Sequence, residues 1–259
     1  MLEKIDYARR WFGTAFSFFI FGVGGIVLPT FIVPVLYCLP GDELTRVQRA
    51  QRSIHHFFRV FIEMMRFLGV LTYQIEGIEK LKEARLILAN HPTLLDVVFL
   101  ISMVPNANCV VKGKLTRNKF IRWPIKAAGY IINEEAGDVI SAAARAFDNG
   151  QILIVFPEGT RTTPSKKLQL QRGGANIAVR TSSAITPVLI YCTPTTLTKN
   201  DRWYQIPHKR MHFRIIVRDR LAVNQYEKDL RPSIGARNLT GDLAIYFNKE
   251  LKAYGRSAP

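Results

Sequence analysis

Two short apolar runs, each followed at once by polar residues, organise the middle of the chain. Leu86–Ala89 and Ile152–Val155 are continuously apolar, which is typical of short strands buried on both faces of a parallel sheet. The polar segment 90–96 follows the first run, and the polar segment 156–161 follows the second. Because the carboxyl ends of parallel strands meet at one edge of a sheet, we expect the two segments to face one cleft.

Helical and strand patterns alternate along the rest of the chain. The apolar spacing predicts an α/β fold with a mixed, largely parallel sheet flanked by helices. The predicted elements are helices over 138–148, 175–181 and 239–254 and strands over 185–192 and 213–217.

The N-terminal region carries the longest apolar run. Residues 11–41 contain no charged side chain, and about 20 apolar residues suffice to span a bilayer. Both flanks are basic, which disfavours moving either flank across the membrane. We therefore expect a re-entrant or shallow membrane-associated helical hairpin on the cytoplasmic face (the inner membrane in a bacterium), with a single span as the alternative. The interruptions that favour a hairpin are Gly24, Gly25, Pro29 and Pro34.

A second, amphipathic helix is predicted over residues 43–70. Charged residues recur there at helical spacing among aromatic and aliphatic ones. Such a helix either packs on the catalytic domain or lies in the membrane interface. These patterns divide the chain into membrane-anchoring and amphipathic helices over residues 1–70 and a catalytic domain over residues 71–259.

The charge balance calls for an anionic partner or surface. The chain has 36 Lys and Arg against 20 Asp and Glu, a net charge of +16. No nucleic-acid-binding module accompanies this charge, so anionic membrane lipids and an acidic carrier protein are the favoured partners, and nucleic acid is a distant alternative. The three cysteines are Cys38, Cys109 and Cys192, and their spacing predicts neither a disulfide framework nor a metal site.

The first polar segment holds a candidate general base. With Pro92 at the first helical position, His91 would stand at the helix cap, from where it could reach Asp96. A carboxylate on one ring nitrogen fixes the tautomer and supports the imidazolium that forms when the other nitrogen takes a proton. The alternative is that His91 only caps the helix while Asp96 is a solvated surface residue.

These residues resemble the glycerophospholipid acyltransferase family, whose pattern is N-H-x-x-x-x-D followed by F-P-E-G-T-R. The resemblance covers roughly residues 75–220 and includes a basic strand segment and a later strand with an internal proline. The matching segments are Asn90 to Asp96, Val110 to Lys114, Phe156 to Arg161, and Ile185 to Ile190.

The resemblance implies an acyl transfer from a thioester to a lysophospholipid-type acceptor. His91 would be the general base and Asp96 its orienting partner. Substrate-binding residues implied by the motifs are Glu158, Gly159, Thr160, Arg161, Lys112 and Lys114. Arg161 has the planar donors that suit a phosphate or carboxylate, and Glu158 would orient Arg161 or the acceptor. Acyl-CoA or acyl carrier protein would be the co-substrate, with no metal and no other cofactor.

One segment departs from the family pattern. Members that act on a glycerol phosphate usually carry an arginine after a glycine-containing segment, often in I-D-R, whereas here Gly129-Tyr130-Ile131-Ile132 is followed by Asn133-Glu134-Glu135. An acidic pair would repel a phosphate, so an acceptor such as an amino-acid lipid or a polyketide-like glycolipid is an alternative. A catalytically silent lipid-binding protein is the alternative outside the enzymes. The oligomeric state does not follow from the sequence.

Overall fold

The computed structural model of the protein describes residues 2–117, 119–133, 136–163, 166–228 and 231–255. Within these residues, seven strands form one mixed sheet in the order β1-β7-β6-β2-β5-β3-β4. The strands are β1 (Leu71–Glu76), β2 (Leu86–Ala89), β3 (Ala107–Lys112), β4 (Ile131–Asn133), β5 (Ile152–Val155), β6 (Ile185–Thr193) and β7 (Met211–Val217).

The predicted mixed, largely parallel sheet is confirmed. Neighbouring strands pair in parallel except for β6 and β7, which are antiparallel. Strands β2 to β6 therefore end at one edge of the sheet, where β1 and β7 begin. Both strands expected from the apolar runs, β2 and β5, lie side by side and bring their following polar segments together.

Helices cover both faces of the sheet. They are α1 (Leu2–Val27), α2 (Val33–Cys38), α3 (Glu43–Phe67), α4 (Asp96–Met103), α5 (Lys119–Ala127), α6 (Ala136–Asp148), α7 (Gly173–Arg180), α8 (Asn224–Glu227) and α9 (Pro232–Gly255). Helices α3 and α4 pack on one face of the sheet, and α6, α7 and α9 pack on the other.

Strand β2 is buried from both sides. Ile87 points into the core under α3 and α4, whereas Leu86 and Leu88 point into the core under α6, α7 and α9. This double burial explains why β2 is a continuous apolar run rather than an alternating one.

No hairpin forms within the apolar run 11–41, which makes one continuous helical arm, but this arm and α3 together form a helical hairpin. Helices α1 and α2 form one arm, joined by a π-helical segment at Leu28–Ile32, and α3 is the other arm. Pro29 and Pro34 do not end the helix, because the π-helical segment accommodates a proline's missing N–H and bulky ring. The chain turns only at residues 39–42.

A glycine sets the approach of the two arms. A Cβ atom on Gly24 would stand 2.1 Å from Cζ of Phe57 on α3, so a larger residue at this position would require the Phe57 ring to move or the helices to separate. The apolar side of α3 contributes Phe61, Ile62 and Met65 to the core. Helix α3 therefore packs on the sheet, which is one of the two alternatives predicted for it.

The outward face of α1 is a stripe of exposed aromatic and aliphatic residues. Phe12 is 68% exposed and Phe19 is 65% exposed, and they lie seven residues apart on one side of the helix. The continuous helix Glu3–Cys38 is long and apolar enough to cross a membrane, and little of it is buried. Exposed apolar surface of this size indicates association with a membrane.

Candidate active site

His91 and Asp96 meet at the end of β2. Nδ1 of His91 lies 2.8 Å from Oδ2 of Asp96. The expected start of the helix at Pro92 was wrong, because α4 begins at Asp96. An irregular turn over residues 91–95 places the histidine above the aspartate, so the contact does not depend on helical spacing.

Asp96 is completely buried and accepts hydrogen bonds from Thr93 as well as His91. The Thr93 N–H donates to Oδ2 at 2.6 Å, and its hydroxyl donates to Oδ1 at 2.6 Å. Burial raises the pKa of the Asp96 carboxyl, and the hydrogen bonds from His91 and Thr93 oppose that rise by stabilising the ionised form. A carboxylate that only accepts places the imidazole proton on Nδ1 and leaves a lone pair on Nε2.

The ring of His91 is also held from above. Its centroid lies 4.2 Å from that of Phe156, with 26° between the ring planes. Since Phe156 directly follows β5, the adjacent strand sets the tilt of the imidazole. The histidine side chain remains 20% exposed, so a substrate can reach it.

Glu158 and Thr162 clamp the backbone of His91. The His91 N–H donates to Oε1 of Glu158 at 2.9 Å, and the Thr162 hydroxyl donates to the same oxygen at 2.6 Å. The Thr162 N–H donates to the His91 carbonyl at 2.6 Å. Burial raises the pKa of Glu158, and the bonds from Thr162 and His91 oppose that rise. Glu158 contacts His91 and Thr162 rather than Arg161 among the described residues, and its other expected role, orienting the acceptor, stays a prediction.

Gly159 forms the turn that returns the chain over the site. Its φ of +66° is a left-handed conformation that favours glycine. Its N–H donates to the Phe156 carbonyl at 3.0 Å, so this amide is occupied within the turn. Thr160 follows it and is exposed.

Arg161 is anchored through one of its terminal nitrogens. Nη1 donates to the carbonyls of Leu197 at 3.0 Å and Thr198 at 2.7 Å. Both acceptors lie in the connection between β6 and β7. Among the described residues, Nη2 and Nε have no hydrogen-bond partner, so they remain available to an anionic group.

Lys112 and Lys114 lie at the end of β3 and in the short 3₁₀ helix that follows it, and both are exposed. Strand β3 pairs with β5 and ends at the same sheet edge as β2. With strands about 4.8 Å apart, β3 lies about 10 Å from β2. These lysines therefore flank the His91 turn at a distance and do not contact it directly. Glu134 and Glu135, the acidic pair expected to repel an acceptor phosphate, lie outside the described residues.

The sequence motifs did not reveal several supporting contacts. Asn90 donates to the Ile190 carbonyl and accepts its N–H, both at 2.8 Å, so it continues the β2–β6 pairing one residue beyond the strand. Asn90 and Thr93 lie inside the first motif, which was the available signal for them. Nothing in the residue type marks Leu197, whose contribution is a backbone carbonyl.

The acyltransferase family model matches residues 72–191. The chain is 24% identical to a 1-acyl-sn-glycerol-3-phosphate acyltransferase of Borreliella burgdorferi, over 68% of this chain and 73% of the relative. It is 22% identical to the chloroplastic enzyme of that name from Arabidopsis thaliana, over 55% of this chain but 42% of the relative, so it spans less than half of that protein.

A solved structure has the same fold. The 1-acyl-sn-glycerophosphate acyltransferase PlsC of Thermotoga maritima superposes with a TM-score of 0.70 at 21% identity, covering 96% of this chain and 98% of that one. The His-Asp and Phe-Pro-Glu-Gly-Thr-Arg segments meet at the sheet edge of this fold, within the residues 72–191 that match the acyltransferase family model, and over this region the chain is similar to glycerophospholipid acyltransferases.

Proposed function

We propose that the protein transfers a fatty acyl group from an acyl thioester to a lysophosphatidic-acid-like acceptor at the membrane. The observation that carries the proposal is the 2.8 Å contact between Nδ1 of His91 and the buried Asp96 carboxylate. This contact makes Nε2 the basic atom, and the partly exposed ring makes that atom accessible to a hydroxyl.

The proposed reaction needs only a proton shuttle. Nε2 of His91 takes the proton of the acceptor hydroxyl while the hydroxyl oxygen attacks the thioester carbonyl carbon. The carbon–sulfur bond then breaks, and the thiolate leaves with the proton from the imidazolium. Asp96 stabilises the imidazolium between the two steps. A thioester is already activated, so no covalent enzyme intermediate is required.

Arg161 is the proposed contact for the acceptor phosphate. Its Nη1 is tied to two backbone carbonyls, which holds the guanidinium plane while Nη2 and Nε stay available. A planar fork of this kind suits a phosphate. The exposed Lys112 and Lys114 add positive charge along the same edge for an anionic part of either substrate, and the donor is acyl-CoA or acyl carrier protein.

The test is acyl transfer by the purified protein, followed by lipid mass spectrometry. Lysophosphatidic acid, an uncharged lyso-lipid and an amino-acid lipid would each be offered with acyl-CoA and with acyl carrier protein donors. We expect acylated lysophosphatidic acid as the main product. Transfer only to an acceptor without phosphate would support the alternative acceptors, such as an amino-acid lipid, that Glu134 and Glu135 suggest. Binding of lipid without any transfer would instead support a catalytically silent lipid-binding protein.

Arg161→Lys should raise the acceptor Michaelis constant about tenfold while the donor constant stays nearly unchanged. A lysine presents a point charge in place of two fixed donors and cannot hold both carbonyls and a phosphate at once. Steady-state kinetics with lysophosphatidic acid and with the uncharged lyso-lipid would measure this. An equal loss for both acceptors would contradict phosphate recognition by Arg161.

The exposed stripe on α1 is the proposed membrane contact, with the protein on the cytoplasmic face. Phe12→Ser with Phe19→Ser should lower partitioning into anionic vesicles at least tenfold, because each buried phenylalanine contributes about 2 kcal/mol. High salt should not release the wild type, since the contact is apolar. Sedimentation with vesicles would measure both.

Ile245→Ser is the matched control for this substitution, because Ile245 is 69% exposed on α9, away from α1. Equal partitioning of the double variant and the control would contradict the assignment. Protease protection in cells that places residues after Arg52 on the opposite side of the membrane would contradict the cytoplasmic location.

A further inference from the structure

The connection between β6 and β7 contacts both the candidate active site and the N-terminal helix. Residues 194–210 form no regular helix or strand. Thr196, Leu197 and Thr198 are buried at one end, whereas residues 199–205 are exposed. The connection, here called the β6–β7 loop, therefore has a fixed inner end and an outer part that depends on its neighbours.

At its inner end, the β6–β7 loop supplies acceptors to both motifs. The Leu197 carbonyl accepts the Leu94 N–H at 3.1 Å, within the turn that carries His91, and also accepts Nη1 of Arg161 at 3.0 Å. Leu197 has a φ of +53°, which is unfavourable for a leucine, and its side chain is buried in the core. The packing of this side chain holds the carbonyl in the direction that Arg161 requires.

At its outer end, the β6–β7 loop is held by Arg10 of α1. The Arg10 side chain is only 4% exposed, although it lies on a helix whose opposite face is open. Nη1 donates to the Pro207 carbonyl at 2.7 Å, Nη2 donates to the His208 carbonyl, and Nε donates to Asp6 at 2.7 Å. The rings of Phe18 and Trp203 pack 5.4 Å apart beside this contact.

Arg10 ties the outer end of the β6–β7 loop to α1 through two carbonyls. Pro207 is partly buried and His208 is exposed, so water would replace Arg10 at these carbonyls if Arg10 were removed, and the chain around Pro207 would no longer be tied to α1. The same loop carries the two carbonyls that orient Arg161. A shift at its outer end would therefore reach the guanidinium group through two carbonyls, whereas the turn that carries His91 shares only the Leu197 carbonyl and is held in addition by the bonds of Thr93 to Asp96.

We propose that Arg10 is a positioning residue for the acceptor site, acting on Arg161 through the β6–β7 loop. The inference rests on the proposed function, because it takes Arg161 as the contact for the acceptor phosphate. Docking of the membrane-facing helix α1 on the catalytic sheet is thereby linked to acceptor binding rather than to proton transfer.

Arg10→Met tests this link, with Arg9→Met as the matched control. Both substitutions remove one positive charge from the same turn of α1. The Arg9 side chain is 58% exposed and pairs with Asp6, without the loop carbonyls. For Arg10→Met we expect an acceptor Michaelis constant raised about fivefold, with kcat and the donor constant within about twofold of wild type. Arg9→Met should leave all three near wild type.

A combined variant shows whether the effect passes through Arg161. If it does, adding Arg10→Met to Arg161→Lys should raise the acceptor constant by less than about twofold, because the positioned group is already lost. Full additivity, or an unchanged acceptor constant in a folded Arg10→Met variant, would overturn the inference. Thermal melting checks folding. If Arg10→Met fails to fold, Arg10→Lys replaces it, because a lysine can bond to one of the two carbonyls at a time. We expect Arg10→Lys to raise the acceptor Michaelis constant by less than Arg10→Met would. An unchanged acceptor constant in Arg10→Lys would overturn the inference.

The experiment separates the two proposals. A raised acceptor constant in Arg161→Lys together with an unchanged one in Arg10→Met leaves the proposed function standing and rejects the role of Arg10. An unchanged acceptor constant in Arg161→Lys removes the phosphate contact itself, and with it the inference.

Discussion

Purified His91→Ala should transfer acyl groups at least about a hundredfold more slowly than the wild type, since loss of a general base typically costs a factor of about 10² to 10⁴. Nε2 of His91 is the accessible basic atom in the proposed mechanism, and its ring is held by Asp96 on one side and Phe156 on the other. Alanine removes the base without adding bulk. We expect the loss mainly in kcat, measured with both substrates near saturation.

His56→Ala is the matched control, because His56 is an exposed histidine on α3, remote from the sheet edge where the motifs meet. It should keep nearly full activity. Near-normal transfer by folded His91→Ala would reject the proton-transfer mechanism outright and would favour a lipid-binding role or another base.

Replacing Asp96 should separate its charge from its geometry. In Asp96→Asn, the amide oxygen can occupy the Oδ2 position and still accept from Nδ1 of His91 and from the Thr93 N–H. The amide nitrogen would face the Thr93 hydroxyl, which can rotate to accept. Asparagine therefore keeps the acceptor for the ring and loses the negative charge that stabilises the imidazolium, together with the acceptor of the Thr93 hydroxyl proton.

We expect Asp96→Asn to lower kcat about tenfold to a hundredfold and Asp96→Ala to lower it about as much as His91→Ala. Alanine leaves Thr93 and His91 without their shared acceptor, so the turn itself loosens. Single-turnover rates and melting temperatures of both variants would measure this. Equal activity of Asp96→Asn and the wild type would show that the carboxylate has a structural role alone.

The two kinds of contact in the site have different origins. Hydrogen bonds within residues 90–96 come from a short stretch of chain and depend on local turn geometry. Contacts from Glu158, Thr162 and Phe156 to His91 cross about 70 residues and exist only because β2 and β5 are paired neighbours. The pairing of β2 with β5 therefore completes the surroundings of His91. The local turn alone would leave the His91 backbone without its bonds to Glu158 and Thr162.

The sequence by itself determined the strands that carry the site and indicated the acyltransferase family whose model residues 72–191 match. Double burial leaves a continuous apolar run, so β2 and β5 could be located from residue type, and the polar segments after them had to meet at one edge. The contact of His91 with Asp96 could also be anticipated, because the two residues lie only five positions apart and a short turn can join them.

Tertiary structure decided which partners the remaining groups take. Glu158 is directed to the His91 backbone and Arg161 to the Leu197 and Thr198 carbonyls, because backbone acceptors are common to every residue and leave no signature in side-chain type. The hairpin turn likewise falls after α2 rather than at the prolines, because the helix continues past them through a π-helical segment. Close packing of Gly24 on Phe57 keeps α1 beside α3. Sequence patterns record burial and local geometry, whereas pairings between distant segments depend on the assembled fold.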